Sequence, residues 1–222
     1  MKTKNIGFLG GGRITRILLQ AFKNKAVVFE SVKVYDPDTG IANELKNDFP
    51  DIDLASSPGE TASQEIVVLA VHPPVMMEAI EKIKESVSSE TVVLSLAPKI
   101  TIGKMAATLP TTKIMRMIPN ATSFINKGYN PITFHASFSS EEKKILLHLF
   151  KKAGKTIEVE ESKLEGYAII SAMLPTYFWF QWKKMEEIAV KTGFTEEEAK
   201  KTLFKNKLAG KKAKGAWRAP RW

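Results

Sequence analysis

The segment 5–15 constrains the fold more than any other part of the sequence. Its residues 6–9 are mostly apolar and are typical of a short buried strand. Three consecutive glycines, residues 10–12, then predict a tight turn. After the turn, apolar residues recur with the spacing of one helix face: Ile14, Ile17, Leu18, Ala21 and Phe22. A strand, a glycine turn and a helix in this order predict the opening unit of a dinucleotide-binding fold.

The glycine turn is a candidate for binding a diphosphate. Gly10 permits the turn, Gly12 allows close approach to the backbone, and the helix N-terminus offers free N–H groups and a positive dipole end. The match to G-x-G-x-x-G is incomplete, because Thr15 stands at the third position, where a small residue packs helix against strand. A glycine turn without a ligand is the alternative. The cofactor contacts expected here are Gly10, Gly11, Gly12, Arg13 and Ile14.

Asp36 is the candidate contact for the adenosine ribose. It follows a predicted strand at 31–35 and lies about two dozen residues beyond Gly12, near the ~20-residue spacing usual for this acid. A carboxylate there accepts a hydrogen bond from the 2′-OH and repels a 2′-phosphate. We therefore expect NAD(P)H as cofactor, with NAD slightly favoured over NADP. The alternative is an acid in a turn before Pro37.

Strands and helices alternate through residues 1–160, which we assign to the dinucleotide-binding domain. Apolar runs at 66–71 and 91–96 are typical of strands covered on both faces. Further strands are predicted at 113–117, 131–134 and 156–159, with helices at 40–48, 75–87, 102–109 and 140–153; the segment 53–63 is expected to be loop with a short strand. This alternation predicts an α/β fold, a Rossmann-type doubly wound parallel sheet, with ligand at the carboxyl ends of the strands.

Strand ends supply the remaining candidate contacts. After the later strands these are Val71, His72, Pro73, Ala97 and Asn120. His72 also fits a simple loop histidine. Arg116 is either a group that neutralises phosphate or carboxylate, or a surface arginine at a strand end. Three scattered histidines and the absence of cysteine predict no metal site.

The C-terminal part is predicted to be helical. A long helix begins after 160–162 and ends near Gly193, and a second helix at 196–204 follows a Thr195 cap. Residues 166–182 hold no charge, at the lower limit for a membrane span, but proline and polar interruptions favour a helix buried between domains or subunits. We expect a short, incomplete all-helical domain at 161–204 and no membrane partner.

Charge and composition limit the function classes. The net charge is +9, but residues 205–222 carry seven Lys or Arg and no acid, so the rest is near neutral. A general nucleic-acid-binding surface is therefore not supported, and the tail is expected to be solvated and disordered. The first strand leaves no room for a signal peptide, so a cytoplasmic location is expected.

Four motifs, in this order, resemble the pyrroline-5-carboxylate reductase family: Ile6–Gly12, Leu69–Pro73, Arg116–Asn120 and Ser171–Tyr177. The resemblance implies a Rossmann domain, a helical dimerisation domain, and reduction of a cyclic imine to proline with NAD(P)H. It implies that Asn120 helps to hold the nicotinamide and that Ser171 contacts a small-molecule substrate. It also implies a homodimer through the helix 163–191, with residues 171–177 lining the substrate pocket partly from the other subunit.

The sequence departs from the family pattern near the substrate. Ala172, Met173 and Leu174 replace Gly-Ser-Gly, residues 121–122 replace Thr-Pro, and the family's Pro-Gly-Gly-Thr segment does not follow residue 204, which suggests a truncated or frame-shifted end. Bulky apolar atoms where backbone N–H groups approach a substrate carboxylate predict an altered substrate pocket. Two functions stay open: a reductase of a different or larger, less anionic imine or carbonyl, or a nucleotide-binding protein without turnover.

Overall fold

The computed structural model describes residues 5–203, except for the side chains of residues 174 and 175. The chain forms two compact units, Met1–Ala172 and Met173–Trp222. The basic tail at 205–222 lies outside the described residues. The domain boundary after residue 160 stays a prediction.

The first unit is built on an eight-stranded sheet. Its strands are β1 Ile6–Leu9, β2 Val32–Tyr35, β3 Asp53–Leu54, β4 Ile66–Leu69, β5 Val92–Ser95, β6 Ile114–Met117, β7 Gly128–Phe134 and β8 Gly154–Glu158. They lie in the order β3-β2-β1-β4-β5-β6-β7-β8, and all neighbours from β3 to β6 are parallel. The strand order reverses between β1 and β4, which is the topological switch point of a doubly wound sheet. The predicted Rossmann-type fold is confirmed.

Helices connect these strands and cover the sheet. They are α1 Arg13–Lys23, α2 Thr39–Asp48, α3 Pro58–Ala62, α4 Met76–Ile83, α5 Ile102–Ala106, α6 Ser140–Phe150 and α7 Glu161–Tyr167. The prediction that 53–63 is loop with a short strand was wrong in one part, because this segment contains α3. The Ser57 side chain caps α3 by accepting a hydrogen bond from the Glu60 N–H at 3.3 Å. A complete capping box between Ser139 and Glu142 starts α6, where the sequence predicts a helix at 140–153.

The last part of the sheet corrects the prediction of a wholly parallel arrangement. β7 runs antiparallel to β6, with Met117 opposite Ile132, and β8 then pairs parallel to β7. The chain between β6 and β7, residues 118–127, contains only the 3-10 turn Ala121–Ile125. A parallel crossover needs a dozen or more residues, so this short connection returns the strand alongside its neighbour.

Two apolar clusters bury the faces of the sheet. One packs α1, α2 and α6 through residues that include Phe8, Leu18, Phe22, Leu45 and Phe150. The other packs α4 and α5 through residues that include Val67, Leu69, Met76, Ile80 and Met105. The central strands β1, β4, β5 and β6 are buried along their whole length, which explains why apolar residues dominate them on both faces.

The described part of the second unit is helical. Its helix α8, Leu174–Lys191, is followed by Gly193 at φ +102°, as predicted for the helix end. A further helix starts at residue 196 with a Thr195 cap, since the Glu198 N–H donates to Thr195 Oγ1 at 3.3 Å. Within residues 5–203, no helix has the length and hydropathy needed to cross a bilayer.

Candidate cofactor site

The loops that follow β1, β2, β4, β5 and β6 lie along one edge of the sheet. These five strands run parallel to one another, so their carboxyl ends point the same way. The structure therefore places the glycine turn, Asp36, the segment 71–73, Ala97 and Asn120 along this edge. Ligands of doubly wound sheets bind at such an edge, close to the switch point between β1 and β4.

The glycine turn is held tightly between β2 and β4. The Gly10 N–H donates to the Tyr35 carbonyl at 2.8 Å, and Gly10 has φ +108°, which favours glycine. A Cβ built on Gly10 would lie 2.7 Å from the Ala70 carbonyl oxygen. The Thr15 hydroxyl is buried and donates to the Gly10 carbonyl at 2.5 Å. Thr15 thus fastens the turn to α1, a role that its sequence position alone did not reveal.

The opposite face of the turn is open. Gly12 is the N-cap residue of α1 and, as a glycine, it supplies no side-chain cap to this helix end. A Cβ built on Gly12 would meet nothing within 4 Å, Arg13 beside it is exposed, and Ile14 is half-buried. The uncapped N–H groups and the positive dipole end therefore face free space, and this geometry fits a diphosphate.

The Asp36 carboxylate is joined to the glycine turn. Its Oδ2 accepts a hydrogen bond from the Gly11 N–H at 2.8 Å, and its Oδ1 accepts one from the Asp38 N–H at 2.9 Å. The second bond is the turn geometry that the alternative interpretation predicts. Each carboxylate oxygen can accept more than one hydrogen bond, so the group keeps capacity for a ribose hydroxyl.

A cavity of about 320 Å³ opens beside Asp36 at the ends of β2 and β3. Its lining is Tyr35, Asp36, Pro37, Thr39, Ala42, Asn43, Leu54, Ala55 and Ser56. It combines apolar surface with hydroxyl and amide groups, as an adenosine requires. The sequence reasoning missed Thr39, Asn43 and Ser56, and the signal that points to them is their position just after β2 and β3.

The strand ends beyond the switch point differ in exposure. Val71 is half-buried, His72 is exposed, and Pro73 begins a short 3-10 turn, Pro73–Val75. Ala97, after β5, is buried. The exposed ring of His72 is compatible with a cofactor contact and with a plain loop histidine.

Arg116 neutralises carboxylates, as one of its two expectations stated, but these carboxylates belong to the chain itself. The expectation of a surface arginine was wrong, because the side chain is 2% exposed. Its Nη1 donates to Glu161 Oε1 at 2.8 Å and its Nη2 to Glu165 Oε1 at 2.7 Å, both on α7. The two glutamates lie 45 and 49 residues further along the chain, so no local pattern in the sequence points to this pairing.

Asn120 and Ser171, the candidate catalytic residues, are in direct contact. Asn120 is buried, and its Nδ2 donates to the Ser171 backbone carbonyl at 2.9 Å. Asn120 Oδ1 accepts hydrogen bonds from the Thr122 N–H and hydroxyl at 3.0 and 2.7 Å. The Ser171 hydroxyl donates to the Tyr167 carbonyl at 2.7 Å. Both polar side chains are therefore bonded inside the protein.

Ser171 lies in a π-helical segment, Ala168–Met173. Such segments are rare and frequently mark functional sites. Met173, where the family has serine, is about half exposed. The side chain of Leu174, the other bulky replacement, lies outside the described part of the structure.

The fold and the open glycine turn are those of a Rossmann-type dinucleotide-binding domain, a fold that many NAD(P)-dependent oxidoreductases share. Residues 5–99 match the family model described as NADP oxidoreductase, coenzyme F420-dependent. The chain is 27% identical to the pyrroline-5-carboxylate reductase of Escherichia coli over 201 residues, covering 89% of this chain and 74% of the relative. It is 24% identical to that of Haemophilus influenzae over 217 residues, covering 96% and 79%.

Both relatives are pyrroline-5-carboxylate reductases, so the chain is similar to proteins of this family along most of its length. Among solved structures, the pyrroline carboxylate reductase of Plasmodium falciparum, which has NADP bound, shares the fold with a TM-score of 0.83 at 20% identity. That match covers 99% of this chain and 82% of the other.

Proposed function

We propose that this protein is an NAD(P)H-dependent reductase that transfers a hydride to the C=N bond of a cyclic imine, the chemistry of pyrroline-5-carboxylate reductases. The observation that carries the proposal is the uncapped N-terminus of α1 at Gly12, open to solvent beside the Asp36 carboxylate. The similarity to pyrroline-5-carboxylate reductases supports the same class of reaction.

The proposed roles of the chain's residues are binding and orientation. The bound nicotinamide supplies the hydride, and a protonated imine accepts it readily, so the protein mainly has to align the reacting groups. The first-turn N–H groups of α1 bind the diphosphate. Asn120, fixed by Thr122 and Ser171, stabilises the nicotinamide side of the site, and Ser171 places its helix segment against the substrate.

We further propose that NADH is preferred over NADPH. A carboxylate at Asp36 accepts hydrogen bonds from ribose hydroxyls and repels a 2′-phosphate. Of the nine residues that line the neighbouring cavity, none is a lysine or arginine that would attract that phosphate. The NADP-bound relative is a different protein, so this preference is to be measured for this chain itself.

The substrate and assembly are also proposals. Met173 and its neighbour Leu174 favour an imine or carbonyl that is larger or less anionic than pyrroline-5-carboxylate. A homodimer through the helix 163–191 is supported by large apolar side chains of α8 that are exposed in the single chain, among them Tyr177, Phe178, Trp179 and Phe180.

One assay tests the reaction. The protein is mixed with NADH or NADPH and pyrroline-5-carboxylate, then with larger cyclic imines, and the loss of absorbance at the nicotinamide band is followed. We expect oxidation of NADH by at least one imine. The control is Gly12→Leu, whose side chain fills the open space above α1 and should remove both cofactor binding and turnover.

A nucleotide-binding protein without turnover is the second candidate. The observation that favours it is that the hydrogen-bonding groups of Asn120 and Ser171 are engaged inside the protein. Binding of NADH without oxidation by any imine in the panel would favour this candidate. Failure to bind either nucleotide would refute both.

A further inference from the structure

Arg116 is the centre of a buried charge network for which the proposed reaction has no direct use. It lies on β6 and pairs with Glu161 and Glu165 of α7 at 2.8 and 2.7 Å. The two carboxylates are partly exposed, whereas the guanidinium is buried and its Nε has no hydrogen-bond partner among the described residues. Apolar residues often replace such buried pairs without loss of stability, so a stabilising role alone does not explain this arrangement.

The same three side chains hold the loop between β5 and α5. Arg116 Nη2 donates to the Ala97 carbonyl at 3.4 Å, a long bond. Glu165 Oε1 accepts a hydrogen bond from the Lys99 N–H at 2.7 Å, and Glu161 Oε1 accepts one from the Ile102 N–H at 2.8 Å. Three backbone groups in six residues thus depend on one network.

The backbone of the loop is unusual at Lys99, where the network binds it. Its φ is +66°, in the left-handed region that a residue with a side chain seldom adopts. The N–H of this residue is the one that Glu165 accepts. Unusual backbone of this kind persists where the surroundings over-determine it, often at a binding site.

The network also links this loop to the helix that carries Ser171. Helix α7 leads directly into the π-helical segment 168–173, and β6 leads to Asn120, which binds the Ser171 carbonyl at 2.9 Å. Arg116 in β6 and Asn120 just after it therefore both bind the helical segment 161–173. In contrast, the glycine turn and Asp36 make their contacts with one another, across β1 and β2.

We propose that Arg116 is a positioning residue for the nicotinamide half of the bound dinucleotide. Through Glu161 and Glu165 it fixes the loop 97–102 against α7, so that the loop and the Ser171 segment keep a constant separation. The adenosine half, held by the glycine turn and Asp36, does not depend on this network. The inference rests on the proposed function, because it requires a dinucleotide at this edge of the sheet.

Paired ligands test the proposal without relying on turnover. The affinities of NADH and of ADP-ribose, which lacks the nicotinamide, are measured by calorimetry for the wild type, Arg116→Met and Arg116→Lys. For Arg116→Met we expect about tenfold weaker NADH binding and an ADP-ribose affinity within about twofold of wild type. The NADH affinity of Arg116→Lys should lie between those of the wild type and Arg116→Met. A lysine keeps the positive charge, but its ammonium group lacks the planar fork with which arginine binds both glutamates.

Matched variants separate positioning from general damage. Lys143→Met removes an ion pair with Glu158, 2.6 Å long, that lies on α6 and β8, and it should leave both affinities unchanged. Glu165→Gln removes one negative charge from the network and keeps the shape of the side chain. If Arg116→Met fails to fold, this variant tests the same proposal with the same two ligands. Hydrogen exchange of the Lys99 amide should accelerate in Arg116→Lys and Glu165→Gln, but not in Lys143→Met.

Each outcome has one meaning. Equal weakening of NADH and ADP-ribose, or unchanged NADH affinity in Arg116→Met and Glu165→Gln, overturns the inference and leaves the proposed function standing. Equal affinity of the wild type for the two ligands also overturns it, since the nicotinamide half would then make no contribution. A wild type that binds neither ligand overturns the proposed function itself.

Discussion

Gly10→Ala should destabilise the fold by about 1–4.5 kcal/mol. The left-handed backbone of Gly10, at φ +108°, costs a residue with a Cβ about 1–2 kcal/mol. The new methyl would also lie 2.7 Å from the Ala70 carbonyl oxygen, so the backbone has to move, and such overpacking typically costs about 1–3 kcal/mol. Loss of glycine's freedom in the unfolded chain offsets about 0.4–1 kcal/mol.

Gly12→Ala is the matched control, two residues further along the same turn. Gly12 has φ −72°, which alanine adopts without strain, and its Cβ would meet nothing within 4 Å. We expect its free energy of unfolding to stay within about 0.5 kcal/mol of wild type, since a poorer N-cap and a stiffer unfolded chain nearly cancel. Its methyl would stand where the diphosphate is proposed to bind, so NADH affinity should fall at least about tenfold.

Urea denaturation and calorimetry distinguish the two variants. With a slope of about 2 kcal/mol per molar, the unfolding midpoint of Gly10→Ala should lie about 0.5–2 M urea below that of the wild type, and that of Gly12→Ala should be nearly unchanged. If Gly10→Ala and Gly12→Ala unfold at the same urea concentration, the backbone of the turn is not constrained at Gly10 as described. If Gly12→Ala binds NADH as tightly as wild type, the open face of the turn is not the diphosphate site.

Three further changes have defined outcomes. Asp36→Ser should shift the ratio of NADPH to NADH affinity by at least about tenfold towards NADPH, measured by titration; an unchanged ratio contradicts the proposed ribose contact. Lys113 donates a hydrogen bond to Glu142 and lowers the pKa of that carboxyl from its ordinary 4.5 to about 2, so this stabilisation is present above pH 4.5 and is lost as the pH falls towards 2. Glu142→Gln should therefore lose less stability than wild type over that range in acid titrations followed by circular dichroism. Lys99→Gly should melt at or above the wild-type temperature, because glycine avoids the cost of about 1–2 kcal/mol that any residue with a Cβ has in the left-handed region. Lys99→Val should melt below it, because a β-branched side chain fits that region worse than lysine; the reverse order contradicts the φ of this residue.

Most of the sheet could be predicted from the sequence because its signals are local. The buried strands β4 and β5 are continuous apolar runs, and the glycine turn joins two segments of different hydrophobic period. The direction of β7 could not be predicted in the same way. Its first three residues, 128–130, include polar side chains, so the apolar pattern placed the strand start too late and made the connection from β6 look longer than it is.

The candidate site was predictable in its position and only partly in its contacts. Spacing identified Asp36, but not that its carboxylate binds the Gly11 N–H. The buried state of Arg116 depends on two glutamates far along the chain, and the single sequence has no local signal for such a pairing. The same limit applies to the bond between Asn120 and Ser171, which are 51 residues apart.

The strand order has a consequence for how the chain is made. β1 lies inside the sheet, between β2 and β4. Ile6 pairs with Val32 of β2, which is 26 residues later in the chain, and with Ile66 of β4, which is 60 residues later. At translation rates of roughly 5–20 residues per second, the edge of β1 that pairs with β4 stays unpaired for about 3–12 s, until the ribosome has synthesised β4. During that interval the apolar strand is a natural target for chaperones, and pauses in translation between β2 and β4 would lengthen its exposure.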